Sequence, residues 1–373
     1  MTWLLRIGLL LLSTTLALAV SEGVARLAVE PVNFLKPEVE LDDVLRWRVV
    51  PGSAGHDAWG FRNREVPERA QIVALGDSQT YGHGASASQS WPAWLQELTG
   101  RRVYNLALSG YGPVDYRALA DKAFELEPET LVVGLYFGND LMDAWRSTYT
   151  MEHWRFLRDS DWLAAHPDAL DSTKANAKAK RKNPWKEWFG HHSVVYRMTV
   201  LALSQSALVL PFRAEPDQDL LRLEIPPPGG PVTLNPVRRM RALDRGDPRV
   251  GEGLRLTLES LGAIQAACRE QSVELVVLLI PTKISVFAAH LPNTDEPLAE
   301  VATALSQDEN AARLEIQTWL AANGVIGRDA LGPLASRAAS EPLYPAGSDG
   351  HPTGAGYRVL AETVADVFEN SSR

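Results

Sequence analysis

The chain has almost no cysteine, the residue that forms disulfides and many structural metal sites. Its 373 residues include one cysteine, Cys268, so an intramolecular disulfide and a cysteine-based metal site are both excluded. Cys268 lies in the helix-like stretch LGAIQAACREQ, where a small buried apolar residue is the simplest interpretation. Neither kind of crosslink is needed, because a chain of this length with 45% hydrophobic residues can bury a large core.

The chain also has fewer basic than acidic residues, 37 against 46. The formal net charge is −9, which would repel a phosphate backbone, so no nucleic-acid partner is predicted. The one dense basic stretch, residues 174–186, is spaced by alanine and asparagine as in a solvated helix or loop. The adjacent pair His191 and His192 has no further ligands at zinc-like spacing, so no metal is assigned.

The N-terminal apolar segment is short for a membrane span. Fourteen uncharged residues, 7–20, follow Arg6, and Ala17-Leu18-Ala19 resembles a signal-peptidase site. A retained anchor needs roughly 17 to 25 apolar residues, a length that residues 3–20 reach if Arg6 extends toward the headgroups. Residues 1–22 are therefore predicted to be either a signal peptide or an anchor in the inner membrane. Both alternatives predict an exported protein of the periplasm or cell envelope.

Short apolar runs alternate with longer segments of helical period from Gln71 onward. The runs are QIVAL, RVYNLAL, LVVGLYF, VELVVLLI and a weaker GVIG. Continuous apolar strands separated by helices predict a parallel sheet that is covered on both faces. The expected fold class is therefore α/β, a three-layer α/β/α sandwich with a mostly parallel five-stranded sheet.

The helices between these strands have recognisable ends and faces. Ser90 is predicted to cap a helix that ends at Gly100. The last helix is predicted within TGAGYRVLAETVADVF, with an apolar face toward the core. That face is formed by Tyr357, Leu360, Val364 and Phe368.

The alternation of strands and helices breaks down after the third strand. We interpret residues 141–250 as a helical and irregular insertion, with an irregular loop from Pro226 to Pro236. Its tryptophans are expected to pack in the core, the alternatives being contact with sugar rings or with a membrane surface. Residues 23–69 are interpreted as a connector, and residues 70–373 as the main domain that contains the insertion.

Polar residues follow the first three strands of the predicted sheet. The first strand ends in Gly76-Asp77-Ser78, the second leads to Gly110, and the third leads to Gly138-Asn139-Asp140. Because the carboxyl ends of parallel strands share one edge, these residues are predicted to converge. The alternatives are a turn role for Ser78 and helix caps for Asn139 and Asp140.

A serine nucleophile requires a base, and the base requires an orienting group. Far downstream, the segment GSDGHPTGAGY places His351 two residues after Asp349, so one loop can hold both. We predict that the Ser78 hydroxyl lies within roughly 2.6 to 3.2 Å of an imidazole nitrogen of His351. His83, five residues beyond Ser78, is interpreted as a loop residue, with the pocket lining as the alternative.

Four motifs in this order resemble the SGNH (GDSL-type) hydrolases, whose fold is flavodoxin-like. They are Gly76-Asp77-Ser78, Gly110 in SGYG, Asn139 in GND, and Asp349-Gly350-His351-Pro352. The segment GFRNREVPERAQIVALGDSQTYGHG is similar to the bacterial cell-envelope branch of the family, and the whole resemblance covers residues 60–140 and 260–367. Many relatives have the acid three residues before the histidine and a glycine two before the asparagine, where this chain has Ser348 and Phe137.

The resemblance implies a serine esterase that requires no cofactor. Ser78 would be the nucleophile, His351 the base and Asp349 its partner. The oxyanion hole would consist of the backbone N–H groups of Ser78 and Gly110 and the side-chain amide of Asn139. The substrate implied is a small-molecule or saccharide acyl ester, with a short acyl group such as acetyl.

Two alternatives to hydrolysis remain at this stage. The same residues could serve an O-acyltransferase that modifies a cell-envelope polysaccharide, and the fold could also belong to a non-catalytic carbohydrate-binding or scaffold protein. The segment LLIPTKISVF resembles the Pro-Thr-Lys stretch of relatives that acetylate exopolysaccharides, although a strand followed by a proline turn explains it equally well. Lys283 is therefore a candidate for substrate contact.

Overall fold

The computed structural model describes residues 2–170, 183–204, 217–226, 230–292 and 296–369. The strands in this part of the chain are β1 Val39–Asp42, β2 Arg46–Val49, β3 Ile72–Gly76, β4 Val103–Ala107, β5 Thr130–Tyr136, β6 Leu221–Ile225, β7 Gly230–Leu234, β8 Glu274–Ile280 and β9 Ile326–Asp329. The α-helices are α1 Thr2–Ala28, α2 Ser78–Tyr81, α3 Trp91–Thr99, α4 Pro113–Phe124, α5 Asp140–Thr150, α6 Ser160–Ala165, α7 Pro184–His192, α8 Val194–Ser204, α9 Pro236–Leu243, α10 Pro248–Glu270, α11 Lys283–Val286, α12 Pro297–Asn323, α13 Leu331–Ala338 and α14 Gly354–Glu369.

Five parallel strands form the central sheet in the order β4-β3-β5-β8-β9. Strands β3 and β5 are buried along their whole length, because helices cover both faces of the sheet. Helices α4, α5 and α10 pack together in one layer, and α3, α13 and α14 pack in the other. The predicted α/β fold with a mostly parallel five-stranded sheet is confirmed, and the weak GVIG run contributes to its edge strand β9.

The predicted helices are largely confirmed. Helix α3 ends at Gly100, whose φ of +67° is readily adopted by glycine. Ser90 does occupy the N-cap position of α3, but its hydroxyl donates to the Ala87 carbonyl instead of capping the helix. The predicted apolar face of α14 is fully buried, from Tyr357 through Leu360 and Val364 to Phe368.

The irregular loop predicted from Pro226 to Pro236 is partly wrong. Residues 230–234 form β7, which pairs with β6 in an antiparallel hairpin. The signal was the alternation in Leu221-Arg222-Leu223-Glu224-Ile225, in which the apolar residues are buried and the charged residues exposed. The prolines and glycines of this segment led to the prediction of a loop in place of the second strand. Pro231 nevertheless lies in a two-stranded sheet, where its missing N–H is tolerated.

The apolar residues of helix α1 are not covered by the rest of the described chain, and the helix is long and apolar enough to cross a membrane. This helix is compatible with a signal peptide or a membrane anchor. The connector that follows forms the hairpin β1–β2, which reaches the carboxyl edge of the central sheet through Arg46 and Trp47.

The tryptophans after β5 have two different environments. Trp145 and Trp154 are buried in the main core, as expected. Trp185 and Trp188 on α7 are instead exposed, so the expectation of core packing is wrong for these two. Among the residues that the structure describes, α7 packs against α8 and the connector, which leaves these two rings outside the core.

Candidate active site

Ser78 stands at the tip of β3, as the sequence predicts. Asp77 follows the strand and caps α2, accepting a hydrogen bond from the Gln79 N–H at 2.8 Å. Ser78 is the first residue of that helix. The turn depends on Gly76, because a Cβ there would lie 2.0 Å from Oγ1 of Thr80. The small residue therefore lets the helix approach the strand and present the hydroxyl at the rim.

The structure brings Ser78, His351 and Asp349 together. His351 Nε2 lies 2.9 Å from Ser78 Oγ, inside the predicted range, and Nδ1 lies 2.7 Å from Asp349 Oδ1. The backbone N–H of His351 also donates to that carboxylate oxygen at 3.1 Å. Partial burial raises the pKa of Asp349, but the hydrogen bond and charge of His351 outweigh it and hold the pKa at about 2. Asp349 is therefore an anion at neutral pH and can fix the Nδ1–H tautomer.

Asp77 is a second potential acceptor for the serine hydroxyl. Ser78 Oγ lies 3.2 Å from Asp77 Oδ2, a longer contact than the one to His351. Burial raises the pKa of Asp77 to about 6, against the opposing hydrogen bond from the Gln79 N–H and the charge of His351. Its geometry supports the role of a residue that shapes the loop, because one carboxylate oxygen is already used to cap α2.

Gly110 lies in the loop after β4, with a φ of +85° that favours glycine. Its carbonyl accepts a hydrogen bond from the Arg46 guanidinium, which also donates to buried Asp115 at 2.8 Å. A Cβ on Gly110 would lie 3.7 Å from Cζ2 of Trp47. The connector hairpin therefore contacts one of the predicted oxyanion donors directly.

Asn139 is the N-cap residue of α5, but its side chain makes no capping bond. Its Nδ2 instead donates to Asp143 Oδ2 at 2.7 Å. Asp140, the alternative cap, accepts hydrogen bonds from the Tyr136 N–H and the Tyr116 hydroxyl and is buried. The contacts of Asp140 are thus structural, while the Asn139 amide is held next to the site by a carboxylate.

Lys283 is buried below the loop that carries the histidine. Its ammonium donates to the carbonyls of Pro345 and Gly347 at 2.7 and 2.6 Å. These contacts disfavour the predicted role in substrate binding, since two of its three donors are used inside the protein. Lys283 is better described as a support for the loop that contains Asp349 and His351.

The structure also shows the contacts of His83 and of the pair His191 and His192. His83 is an exposed loop residue, as interpreted, and its ring lies beside that of His351, with 4.8 Å between the ring centroids. Nδ1 of His191 contacts the Lys36 carbonyl, and Nδ1 of His192 contacts the Trp188 carbonyl. Within the residues that the structure describes, no cluster of three or more potential metal ligands is found.

Two arginines at the site could not be predicted from the sequence. Arg46 comes from the connector, and Arg239 on α9 donates to the Gly138 carbonyl at 3.0 Å. A Cβ on Gly350 would lie 2.7 Å from a terminal nitrogen of Arg239, so this side chain spans the loops of Asn139 and His351. No local motif marks either arginine, because their partners lie more than sixty residues away in the chain.

An α/β/α fold with serine, histidine and aspartate joined at the carboxyl edge of its sheet defines the class of serine hydrolases. The sequence profile of the GDSL-like lipase/acylhydrolase family matches residues 74–359, and the chain belongs to that family. It is thus a hydrolase acting on ester bonds, as the resemblance implied.

Several solved structures are similar to this chain at low sequence identity. A lipolytic protein of the G-D-S-L family from Desulfitobacterium hafniense is 14% identical, with 80% of this chain and 99% of that chain covered and a TM-score of 0.39. A catalytic mutant of an acetylxylan esterase from Geobacillus stearothermophilus is 10% identical, with coverages of 81% and 94% and a TM-score of 0.40. An extracellular lipase from Streptomyces rimosus is 16% identical, with coverages of 80% and 99% and a TM-score of 0.36. No curated protein sequence matches the chain.

Proposed function

We propose that the chain is a serine esterase in which Ser78 is the nucleophile, His351 the general base and Asp349 the residue that orients the base. The observation that carries this proposal is the continuous pair of contacts from Ser78 Oγ to Nε2 and from Nδ1 to Asp349, at 2.9 and 2.7 Å. With Nδ1–H donated to the carboxylate, Nε2 is free to accept the serine proton.

The reaction would proceed by double displacement. Ser78 Oγ attacks the ester carbonyl as its proton passes to Nε2 of His351, and the C=O double bond opens to a tetrahedral oxyanion. Collapse of this intermediate breaks the bond to the alcohol, which takes the proton from Nε2. His351 then removes a proton from water, whose oxygen attacks the acyl-enzyme to form a second tetrahedral intermediate. Its collapse breaks the bond to Ser78 Oγ, which takes the proton back from Nε2, and releases the acid.

The oxyanion would be stabilised by the N–H groups of Ser78 and Gly110 and by the amide of Asn139. Donors already aimed at the developing charge are worth roughly 3 to 4 kcal/mol each. One N–H of Asn139 is held by Asp143, and the same side chain also interacts with Asp77. The proposal therefore requires that the second N–H exchanges Asp77 for the oxyanion when substrate binds.

A short acyl group, such as acetyl, is the proposed specificity. The indole of Trp47 stands close to Gly110, so bulky surroundings adjoin one oxyanion donor. The alcohol is proposed to be that of a small molecule or a saccharide. Transfer of the acyl group to a sugar hydroxyl instead of water uses the same residues and is an outcome of the test below.

Hydrolysis of p-nitrophenyl acetate, butyrate and octanoate tests the proposal. Ser78→Ala should abolish turnover and labelling by a fluorophosphonate, while Ser88→Ala, a change at an exposed serine, should alter neither. Labelling that survives Ser78→Ala would overturn the assignment, and well-folded wild-type protein that is neither labelled nor active would favour the non-catalytic alternative. Chromatography with an oligosaccharide acceptor then separates the reactions, because acetylated sugar indicates transfer and free acetate alone indicates hydrolysis.

A further inference from the structure

Helix α7 exposes three large apolar side chains on one face. Trp185, Trp188 and Phe189 are 72%, 52% and 41% exposed, and their spacing of three and four residues aligns them along the helix. We call these three residues the aromatic face. On α8, Met198 and Leu203 are also exposed, by 39% and 53%. An exposed patch of this kind on a folded domain marks an interaction surface.

The length of helix α1 indicates the depth at which the aromatic face would lie relative to a bilayer. Its uncharged residues 7–20 span roughly 20 Å at 1.5 Å per residue, and counting from Trp3 brings the span near the roughly 30 Å of a hydrocarbon core. The next charged residues are Glu22 and Arg26. If α1 crosses a bilayer, these two charges lie at the boundary between lipid tails and headgroups, because charged groups avoid the bilayer centre.

The junction of α7 and α8 is bound to that same boundary. The Glu22 carboxylate accepts hydrogen bonds from the Ser193 hydroxyl and from the N–H groups of Val194 and Val195, at 2.9, 2.9 and 3.1 Å. Arg26 donates to the His192 carbonyl at 2.5 Å. The aromatic face therefore begins within one helical turn of the point at which α1 would leave the hydrocarbon.

We propose that α7 and α8 dock on the surface of a phospholipid bilayer, with the aromatic face among the headgroups. Tryptophan is enriched at this depth because its ring is apolar and its N–H is polar.

This docking would fix the orientation of the catalytic domain. A single helix leaves a domain free to rotate about its tether, whereas a second contact removes that freedom. The Lys36 N–H donates to the Gly190 carbonyl at 3.0 Å, so α7 is also joined to the connector. The same connector reaches Gly110 through Arg46, which links the lipid contact and the active site within one piece of chain.

The test uses the full chain in vesicles of phosphatidylcholine and phosphatidylglycerol. In a Cys268→Ser background, Trp185→Cys and Trp188→Cys carry an environment-sensitive dye, and Leu314→Cys on α12, an apolar residue 53% exposed, is the matched control. We expect nitroxide-labelled lipids to quench the dyes at 185 and 188 at least twofold more than the dye at 314, with the reverse order for iodide. Equal quenching at all three positions would overturn the proposal.

Two further measurements identify what covers the aromatic face. Addition of vesicles should shift the emission of the dyes at 185 and 188 to shorter wavelength, and unchanged emission would overturn the assignment to a bilayer surface. A blue shift that grows with the protein-to-lipid ratio, without lipid quenching, would show that a second copy covers the face and would also overturn the proposal. Hydrolysis of a soluble ester by each labelled variant serves as the folding control, and it tests the proposed function separately.

Discussion

Replacement of Lys283 by methionine tests whether a buried cation supports the catalytic loop. Lys283 is only 4% exposed, and its ammonium donates hydrogen bonds to the carbonyls of Pro345 and Gly347. The second carbonyl lies two residues before Asp349 and four before His351. Methionine has a similar length but cannot donate, so the loop would lose both hydrogen bonds while the surrounding core stays filled.

The pH dependence of the free energy of unfolding gives the size of the effect expected from Lys283. Burial lowers the pKa of Lys283 from 10.5 to about 8, against the attraction of Asp349. Between these two values the unfolded state binds more protons than the folded state, so the free energy of unfolding rises with pH. At 1.36 kcal/mol per pKa unit, the rise attributable to Lys283 is about 3 kcal/mol. Below pH 8 the full cost of burying the charge is present, and above pH 10.5 it has gone.

We expect Lys283→Met to lose this rise and to lower kcat roughly 10-fold, which corresponds to about 1.4 kcal/mol. Lys283→Arg, which keeps the charge and the donors, should recover part of the rate. The measurements are urea unfolding of wild type and variant at pH 7.5 and 10, and kcat on a soluble ester at pH 7.5. Lys186→Met, at an exposed lysine of α7, is the control.

Two results together would show that the Lys283 ammonium does not support the catalytic loop. One is a kcat of Lys283→Met within about twofold of wild type. The other is a stability difference between wild type and variant that is the same at both pH values. A loss of activity with an unchanged pH profile would point to simple repacking, since only a buried titrating group moves with pH across this window.

The remaining predictions concern three residues of the site. Asp349→Asn should lower kcat by roughly 100-fold or more, because the amide favours the wrong histidine tautomer; a rate within threefold of wild type would show that another group orients the ring. Asn139→Ala should lower kcat by roughly 100-fold with little change in KM, and an equal rise in KM would contradict an oxyanion role. Arg46→Met should lower kcat roughly 10-fold through Gly110 and reduce the unfolding free energy by about 2 kcal/mol, measured by urea, whereas equal effects of Arg48→Met, at an exposed residue, would refute this.

Topology explains why the meeting of Ser78 and His351 could be predicted. Apolar runs without alternation indicate a parallel sheet, and a parallel sheet collects the ends of its strands at one edge. The contact across 273 residues then needed the motif order to be placed. Local patterns and one general rule of folding place the strand ends. His351 lies in the loop before α14 and not at a strand end, so its motif and the family resemblance were also required.

Side-chain partners could not be predicted in the same way. The interaction of Asn139 with Asp143, and that of Lys283 with two backbone carbonyls, depend on how loops settle over the sheet. Several residue types would fit each position by sequence alone. The exposure of Trp185 and Trp188 was missed for a related reason, because amphipathic aromatic helices have the same spacing whether a core or a membrane covers them.

The connector is more than a tether to the N-terminal helix. Arg46 lies outside the family match of residues 74–359, yet it bonds the carbonyl of Gly110 and the buried carboxylate of Asp115. Its φ of +65° is a left-handed conformation that costs a non-glycine residue roughly 1 to 2 kcal/mol. Such a backbone persists only where surrounding contacts offset its cost. The charge-assisted bond to Asp115 provides that compensation, so the folded hairpin and the geometry of the predicted oxyanion donor depend on each other.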